Sequence, residues 1–162
     1  MEVETHIALP AEDFDVDAAL SAFRDEVESA GAIVSFLGQV SREDTDNPVE
    51  ALYLDHVPNA TLNSITQVAS RAAARWPLLK LTIIHRVGEV KVGRPIVLLA
   101  CAARHRRDAF EAAEYLMDFL KSDVLLWKKE IRASGASWIE PRAEDYADKE
   151  RWNGQCTELT KA

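Results

Sequence analysis

Apolar residues recur at helical spacing in three segments of the chain. The first segment runs from Val16 to Ala30 and is followed by Gly31, a residue type that commonly caps helix C-termini. The second begins at Pro58 and closes near Trp76, and the third spans about Asp108 to Ser122. The positions expected to be buried on the third helix are Phe110, Ala113, Leu116 or Met117, and Leu120. The pattern predicts three amphipathic helices, each with one face on a core.

Short apolar runs separate these helices and predict strands. The runs are Ala32–Leu37, Val49–His56, Leu81–Val87 and Ile96–Ala103. A turn bounded by Gly88 and Gly93 is expected to join the last two of these strands. Farther along, the segments from Leu125 to Arg132 and from Ser137 to Glu140 flank a Ser-Gly pair and predict a β-hairpin.

Strands that alternate with helices, followed by a hairpin, are typical of a single α+β domain. We therefore expect a mixed or antiparallel sheet with helices packed on it and an added β-hairpin. With 162 residues, 48% of them hydrophobic, the chain is long enough for one core but not for two comfortable domains. We expect the domain to span residues 1–142 and the polar segment 143–162 to form a helix-prone, weakly anchored tail.

The formal net charge of -8 argues against nucleic acid and against an anionic membrane surface as the main partner. The longest apolar run, Ile96 to Ala103, is about a third of the length of a membrane-spanning helix, and we expect no secretory signal at the N-terminus. Cys101 lies in a strand-like run and Cys156 in a polar segment, so we expect neither a disulfide nor a metal site. These features favour a reducing cytoplasm.

One segment departs from the acidic character of the chain. Between Arg104 and Arg132 there are seven basic and six acidic side chains, and the basic ones gather at the two ends of the third predicted helix. The first N–H groups of a helix lack partners, and the helix dipole favours an anion there. His105 and Arg106 are therefore candidates for binding a phosphate, although a polar loop with a structural histidine explains them about equally well. An anionic small-molecule substrate is the first hypothesis.

At the other end of this helix, Lys121 lies in the last turn, where a solvent-facing lysine that complements the helix dipole is the simpler interpretation. Lys128 favours a second interpretation, because an extended segment places Leu126, Lys128 and Glu130 on one face and their neighbours on the other. Since the chain turns between helix and strand, Lys121 and Lys128 can converge on one pocket. Two adjacent lysines lower each other's pKa and prepare one of them for proton transfer or nucleophilic attack.

The remaining histidines and tryptophans have simpler explanations. His56 and the pair His85-Arg86 end predicted strands, and we interpret them as structural residues. The tryptophans interpreted as core or interface residues rather than stacking platforms are Trp76, Trp127 and Trp138.

Eight short segments between Gly31 and Glu130 share one further property, which is their order along the chain: Gly31–Val40, Leu54–Pro58, Arg75–Leu78, Ile84–Glu89, His105-Arg106, Ala109–Ala112, Met117–Lys121 and Trp127–Glu130. Through these segments the chain, from about Gly31 to Arg142, resembles the large, catalytic subunit of molybdopterin synthase. No single segment is decisive, but so many in the right order make a chance resemblance improbable.

The resemblance implies an enzyme that converts cyclic pyranopterin monophosphate to molybdopterin by adding two sulfur atoms as a dithiolene. Sulfur arrives as a thiocarboxylate on the C-terminal Gly-Gly of a small ubiquitin-like subunit, and a dimer of large subunits carries one small subunit at each outer end. Lys121 and Lys128 are implied as the catalytic pair, and no cofactor is required. The residues implied in substrate binding are Gln39, Val40, Ser41, Arg42, His105, Arg106, Lys129 and Glu130.

The chain departs from the family pattern in a polar, turn-rich segment from Gly38 to Pro48, which we predict to be a mobile loop. Family members commonly have arginine where this chain has Ser41, with Arg42 next. Either Arg42 takes over through a shift of one residue in the loop, or the protein holds its substrate with one cation fewer; of the two, we predict that Arg42 supplies the loop cation. Two other hypotheses remain: a non-catalytic partner that docks a ubiquitin-like tail, and an unrelated anion-binding α+β domain.

Overall fold

The computed structural model describes residues 3–153, which form eight strands and four helices. The helices are α1 (Val16–Asp25), α2 (Pro58–Arg75), α3 (Arg106–Ser122) and α4 (Ala143–Glu150). The strands are β1 (Glu4–Ala8), β2 (Ala32–Gln39), β3 (Val49–His56), β4 (Leu78–His85), β5 (Gly88–Lys91), β6 (Pro95–Ala103), β7 (Leu126–Arg132) and β8 (Gly135–Ile139). Cys156 and the rest of the predicted tail beyond Asn153 lie outside the described residues.

The first sheet has the strand order β1-β4-β6-β2, with β1 parallel to β4 and the other pairs antiparallel. Along β6, Leu99 and Cys101 face the main core, where α2 and α3 pack, while Ala100 and Ala102 face Phe23 of α1. Successive strand residues point to opposite faces, so helices on both sides leave this strand without a polar position. This layered arrangement explains why β6 appears in the sequence as a continuous apolar run.

The second sheet has the order β5-β3-β7-β8, and all of its neighbouring strands are antiparallel. Its small apolar cluster is centred on Leu54 of β3 and Val90 of β5. Most positions of β7 and β8 are only half-buried or exposed. The second sheet therefore offers a partly open face on which polar side chains can gather.

The α+β fold with an added hairpin is confirmed, because β7 and β8 pair around the turn before Gly135. Two strands were not predicted. β1 is short and polar in sequence, and β5 occupies the segment that we predicted as a turn between Gly88 and Gly93. Both glycines adopt positive φ angles of 76° and 80°, as turn residues do, but a four-residue strand begins at Gly88 and ends before Gly93.

The weak anchoring that we predicted after residue 142 is wrong for the part of this segment that the structure describes. Residues 143–150 form α4, which packs on α3. Trp152 is only 5% exposed and meets Trp76 and Tyr115 edge-to-face, at centroid distances of 5.7 and 5.5 Å. Its indole Nε1 donates to Asp118 at 2.6 Å. Trp152, together with ion pairs from Lys149 to Asp123 and from Arg151 to Glu114 and Asp118, thus anchors a helix whose own composition is polar.

Phe110 was expected on the buried face of α3, but 62% of its surface is exposed. It lies beside Phe36 of the edge strand β2, where the two aromatic rings border an open groove. The other expected positions are buried or half-buried. Among the described residues, no helix is long and apolar enough to cross a membrane.

Candidate active site

Lys121 and Lys128 line one cavity of about 600 Å³ between the end of α3, the inner face of β7 and the start of α4. The predicted convergence of the two lysines is therefore observed. The thirteen lining residues are Ser41, Glu43, His85, Leu120, Lys121, Leu126, Lys128, Glu130, Ile139, Glu140, Pro141, Arg142 and Asp145. Cations, carboxylates and one imidazole share this space, so the cavity can bind an anion and move protons.

The alternation of β7 determines which of its residues reach this cavity. Leu126, Lys128 and Glu130 line it, as the strand pattern predicted. Lys129 lies on the opposite face, where its Nζ is 4.4 Å from the ring centre of Trp138 and 5.7 Å from that of Tyr53. The structure therefore separates Lys129 from the lysine pair and places it in cation–π contact with two rings.

The two lysines have different electrostatic environments. Burial lowers the pKa of Lys128, and the nearby charge of Lys121 lowers this pKa further, while Asp145 partly opposes the shift. The side chain of Lys121 is 44% exposed, and its Nζ lies 3.8 Å from Oδ1 of Asp145. Burial and the adjacent charge therefore weaken the hold of Lys128 on its proton, whereas Lys121 lies in an ion pair with a carboxylate.

Asp145 was not predicted, because it belongs to the segment that we interpreted as a tail. It sits in the first turn of α4, where its Oδ2 accepts from the backbone N–H of Arg142 at 2.9 Å. This reciprocal capping arrangement fixes the carboxylate beside the cavity. The spacing of Asp145 three residues after Arg142 was the available signal, since an acidic residue at that spacing is typical of a helix start.

His85 was interpreted as structural, yet it lines the same cavity at the end of β4. Burial is the main reason that its pKa falls to about 4, and the charge of Lys128 contributes to the same shift. Sequence gave no direct signal for this placement, because β4 and β7 lie in different sheets and about forty residues apart in the chain.

The loop between β2 and β3 brings Ser41 and Glu43 to the cavity, whereas Arg42 between them is exposed and does not line it. Gln39 is exposed at the end of β2, and Val40 is buried in the small apolar cluster. The shift of one residue that we expected for Arg42 is therefore not observed. Arg142 is the arginine that faces the cavity instead.

Arg132 of β7 holds this loop in place. Its guanidinium donates to Glu43 at 2.7 Å, to the backbone carbonyl of Asn47 at 2.5 Å and to Glu130 at 2.9 Å. These bonds hold the pKa of Glu43 below its usual value. The contacts keep Glu43 at the rim of the cavity and connect the loop directly to the strand that carries Lys128.

His105 and Arg106 lie at the opposite end of α3 from Lys121. Fifteen residues separate Arg106 from Lys121 on this helix, which corresponds to about 22 Å. They border a different, open pocket with Arg104 and Gly31. A Cβ atom on Gly31 would come within 2.3 Å of the Arg104 carbonyl oxygen, so glycine permits the close approach of these two segments. One chain alone therefore does not join the two basic groups.

Among residues 3–153, no group of three or more histidine, cysteine or acidic side chains has the arrangement of a metal site. Cys101 is buried in the first sheet, where burial raises the pKa of its thiol to about 12. A thiol in this environment stays protonated and is a poor nucleophile. The ionisable groups that line the cavity are amines, carboxylates, one guanidinium and one imidazole.

The comparison with known proteins gives one consistent family. Residues 9–123 match the family model described as MoaE protein. The chain is 40% identical over 139 residues to the molybdopterin synthase catalytic subunit of Pseudomonas aeruginosa, which covers 86% of this chain and 93% of that protein. Among solved structures, the molybdopterin biosynthesis MoaE protein from Burkholderia ambifaria has 35% identity and a TM-score of 0.75, and the match covers 94% of this chain and 99% of that one. Molybdopterin synthase from Staphylococcus aureus has 28% identity and a TM-score of 0.72, with coverage of 83% and 95%.

Proposed function

The chain belongs to the MoaE protein family, and we propose that it works as the large, catalytic subunit of a molybdopterin synthase. The reaction moves sulfur from the C-terminal thiocarboxylate of a small ubiquitin-like subunit to cyclic pyranopterin monophosphate and forms the dithiolene of molybdopterin. The observation that carries this proposal is the pair of lysines with different environments in one cavity. The cytoplasm is the compartment that we propose for it.

Each sulfur transfer needs a proton donor and a proton acceptor. The thiocarboxylate sulfur forms a bond to a carbon of the pterin side chain, and the departing oxygen takes a proton, which Lys121 supplies as an ammonium ion. Water then attacks the glycine carbonyl, the bond between that carbonyl and sulfur breaks, and Lys128 accepts the proton released by the water. The small subunit leaves with a carboxylate in place of its thiocarboxylate. The lowered pKa of Lys128 suits the acceptance of a proton, and Lys121 lines the same cavity as the second amine.

The cations around the cavity fit an anionic substrate and an anionic tail. Lys121, Lys128 and Arg142 face the space directly, and arginine is well suited to phosphate because its donors form a planar fork. The carboxylates of Asp145 and Glu130 reduce the net positive charge of the cavity, and an incoming anion can take their place beside the cations. Gln39 and Lys129, which the resemblance implies in substrate binding, do not line the cavity.

His105 and Arg106 take part in substrate binding only if a second copy of the chain brings them to the lysine pair, because one chain separates the two groups by the length of α3. An apolar patch beside this basic group is available for such a dimer. It consists of Ile33, Phe36 and Leu37 on the edge strand β2, together with Phe110. A closed dimer uses the same patch on both copies, so each copy can complete the cavity of the other.

Complementation between two impaired chains tests this arrangement. Arg106→Ala and Lys121→Ala chains are mixed, allowed to exchange subunits and assayed with the small subunit at a pterin concentration far below the KM of Arg106→Ala, where each chain alone turns over little. If the site is shared, mixed dimers contain one intact cavity, and the mixture recovers about a quarter of the parent activity. A mixture no more active than its components shows that Arg106 does not act across the dimer.

The catalytic proposal itself is tested by incubating the chain with cyclic pyranopterin monophosphate and a thiocarboxylated small subunit, followed by mass analysis of the pterin. We expect a product that contains two sulfur atoms, and none when the small subunit carries an ordinary carboxylate. A complex that forms but yields no sulfur-containing pterin would favour the docking-partner hypothesis instead.

A further inference from the structure

His85 occupies a position that a purely structural histidine does not require. It is 5% exposed at the end of β4, and what remains open of its surface borders the cavity that holds Lys121 and Lys128. Its ring nitrogen Nδ1 lies 2.8 Å from the backbone carbonyl oxygen of Arg86. A carbonyl oxygen only accepts hydrogen bonds, so Nδ1 carries the proton and donates it, and in the neutral ring Nε2 is left with a free lone pair.

The carbonyl that fixes this tautomer is itself held in place. The backbone N–H of Arg86 donates to Ile96 at 2.7 Å. The guanidinium of Arg86 is buried, donates to the backbone carbonyls of Ala11 and Glu89 at 2.8 and 3.0 Å, and forms an ion pair with Asp13. Because both the backbone and the side chain of Arg86 are anchored, the imidazole has little freedom to turn its Nε2 away from the cavity.

The Nε2 atom has no hydrogen-bond partner within the described residues. Among residues 3–153, the only fully buried side-chain nitrogen or oxygen without a hydrogen-bond partner is Nε of Arg86. Nε2 of His85 is therefore not fully buried. The unpaired nitrogen is therefore in contact with the cavity space. The charge of Lys128, on the other sheet, works against protonation of the ring. The acidic groups on the cavity wall are Glu43, Glu130, Glu140 and Asp145.

We propose that His85 contacts the substrate, its unprotonated Nε2 accepting a hydrogen bond from an N–H or O–H group of the pterin. The inference rests on the proposed function, since it names the substrate of that reaction. The other side-chain nitrogens in the cavity belong to lysine and arginine, which donate hydrogen bonds. A neutral acceptor on the cavity wall allows the protein to recognise the pterin ring system and not only its phosphate. Its loss leaves a donor of the bound substrate without a partner, which weakens recognition of the pterin more than it slows the chemical steps.

A pair of isosteric variants separates this role from a structural one. In His85→Asn the side-chain amide reaches the position of Nδ1 and keeps the bond to the Arg86 carbonyl, but nothing replaces Nε2. In His85→Gln the amide oxygen reaches the position of Nε2. We expect His85→Asn to raise the dissociation constant and KM for cyclic pyranopterin monophosphate roughly three- to tenfold with a nearly unchanged kcat, and His85→Gln to restore part of the loss. His56→Asn, at the end of β3 and outside the cavity, is the matched control and should match the parent protein.

A purely structural role predicts the opposite order, with His85→Asn close to the parent and His85→Gln impaired together with its melting temperature. That result overturns the inference, as does a His85→Asn chain that binds the pterin as tightly as the parent.

Nitrogen-15 spectra of the imidazole rings give a measurement that does not depend on a variant folding. In the free protein, His85 should show the Nδ1–H tautomer, and saturating pterin phosphate should shift its Nε2 resonance while leaving His56 unchanged. An Nε2–H tautomer, or an unshifted Nε2 when binding is evident by calorimetry, overturns the inference. Failure of the parent chain to bind the pterin at all, with the Nδ1–H tautomer present, would instead overturn the proposed function and the ligand that it assigns to His85.

Discussion

The two ends of α3 carry basic residues in opposite settings. At the N-terminal end, Arg104, His105 and Arg106 are exposed and border an open pocket. At the C-terminal end, Lys121 meets Asp145, and the half-buried Lys128 has a lowered pKa. An exposed arginine keeps its charge under all ordinary conditions and suits binding, whereas a lysine near other charges can change its protonation state and suits catalysis. In the proposed reaction, one helix therefore separates substrate binding from proton transfer.

The largest expected effect is that of Lys121→Ala. Loss of the proposed proton donor should lower turnover by about two orders of magnitude or more, because general acid–base catalysis typically contributes that much. The side chain is partly exposed and makes one long ion pair, so the melting temperature should change little. Turnover and thermal unfolding are measured on the same preparation, with Lys91→Ala on β5 as a control lysine outside the cavity. A drop in melting temperature that accounts for the lost activity would assign Lys121 a structural role.

Lys128→Met should also remove most activity, and it should stabilise the fold. The pKa of Lys128 lies below its usual value of 10.5, so between the folded pKa and 10.5 the unfolded chain binds more protons than the folded one. The charged form therefore costs stability below that window, and the cost shrinks as the pH rises toward 10.5. We expect the melting temperature of Lys128→Met to exceed that of the parent by a few degrees at neutral pH, with a smaller difference near pH 10.

Thermal unfolding across this pH range checks the second prediction, and the quantity to follow is the difference between variant and parent. A difference that stays constant with pH would mean that methionine improves packing only. A variant less stable than the parent at neutral pH would mean that Lys128 has favourable ion pairs that outweigh its burial.

Arg106→Ala tests the proposed role of the N-terminal end of α3 in substrate binding. Its loss should weaken binding of the pterin phosphate roughly ten- to a hundredfold, since a charge-assisted hydrogen bond to phosphate is worth about 1.5–3 kcal/mol. The rate at saturating substrate should fall much less, because this end of the helix takes no part in proton transfer. Steady-state kinetics separate the two quantities, and an equal loss in kcat would erase the distinction between the two ends of α3.

The smallest effect is expected at the loop. Arg42 is exposed and faces away from the cavity, so Arg42→Ala should leave the dissociation constant of the pterin phosphate within about twofold of the parent value. Arg142→Ala is its matched arginine variant inside the cavity, and it should weaken binding about tenfold. Calorimetry on both variants measures the two dissociation constants and shows which arginine binds the pterin phosphate. A stronger effect of Arg42→Ala would mean that the loop rearranges when substrate binds.

The sequence predicted what depends on local periodicity. The alternation of β7 was sufficient to place Lys128 and Glu130 on one face, and the turn after α3 was sufficient to bring Lys121 toward them. It could not predict His85 or Asp145 as cavity residues, because each reaches the cavity from an element distant in the chain. The prediction that Phe110 is buried was wrong for a related reason. Its helical spacing is that of a core residue, but the strand beside it is an edge strand, and the groove there is open.

The attachment of α4 has a consequence for the order in which this enzyme matures during synthesis. Every strand of both sheets, together with α1, α2 and α3, precedes α4 in the chain and leaves the ribosome first. Until Trp152 enters its aromatic niche, Asp145 is not held beside Lys121, and the cavity lacks one wall. A nascent chain in which both sheets have formed would therefore expose Lys121 and Lys128 without the carboxylate of Asp145. The cavity would become competent for catalysis only when α4 packs, after the core has formed.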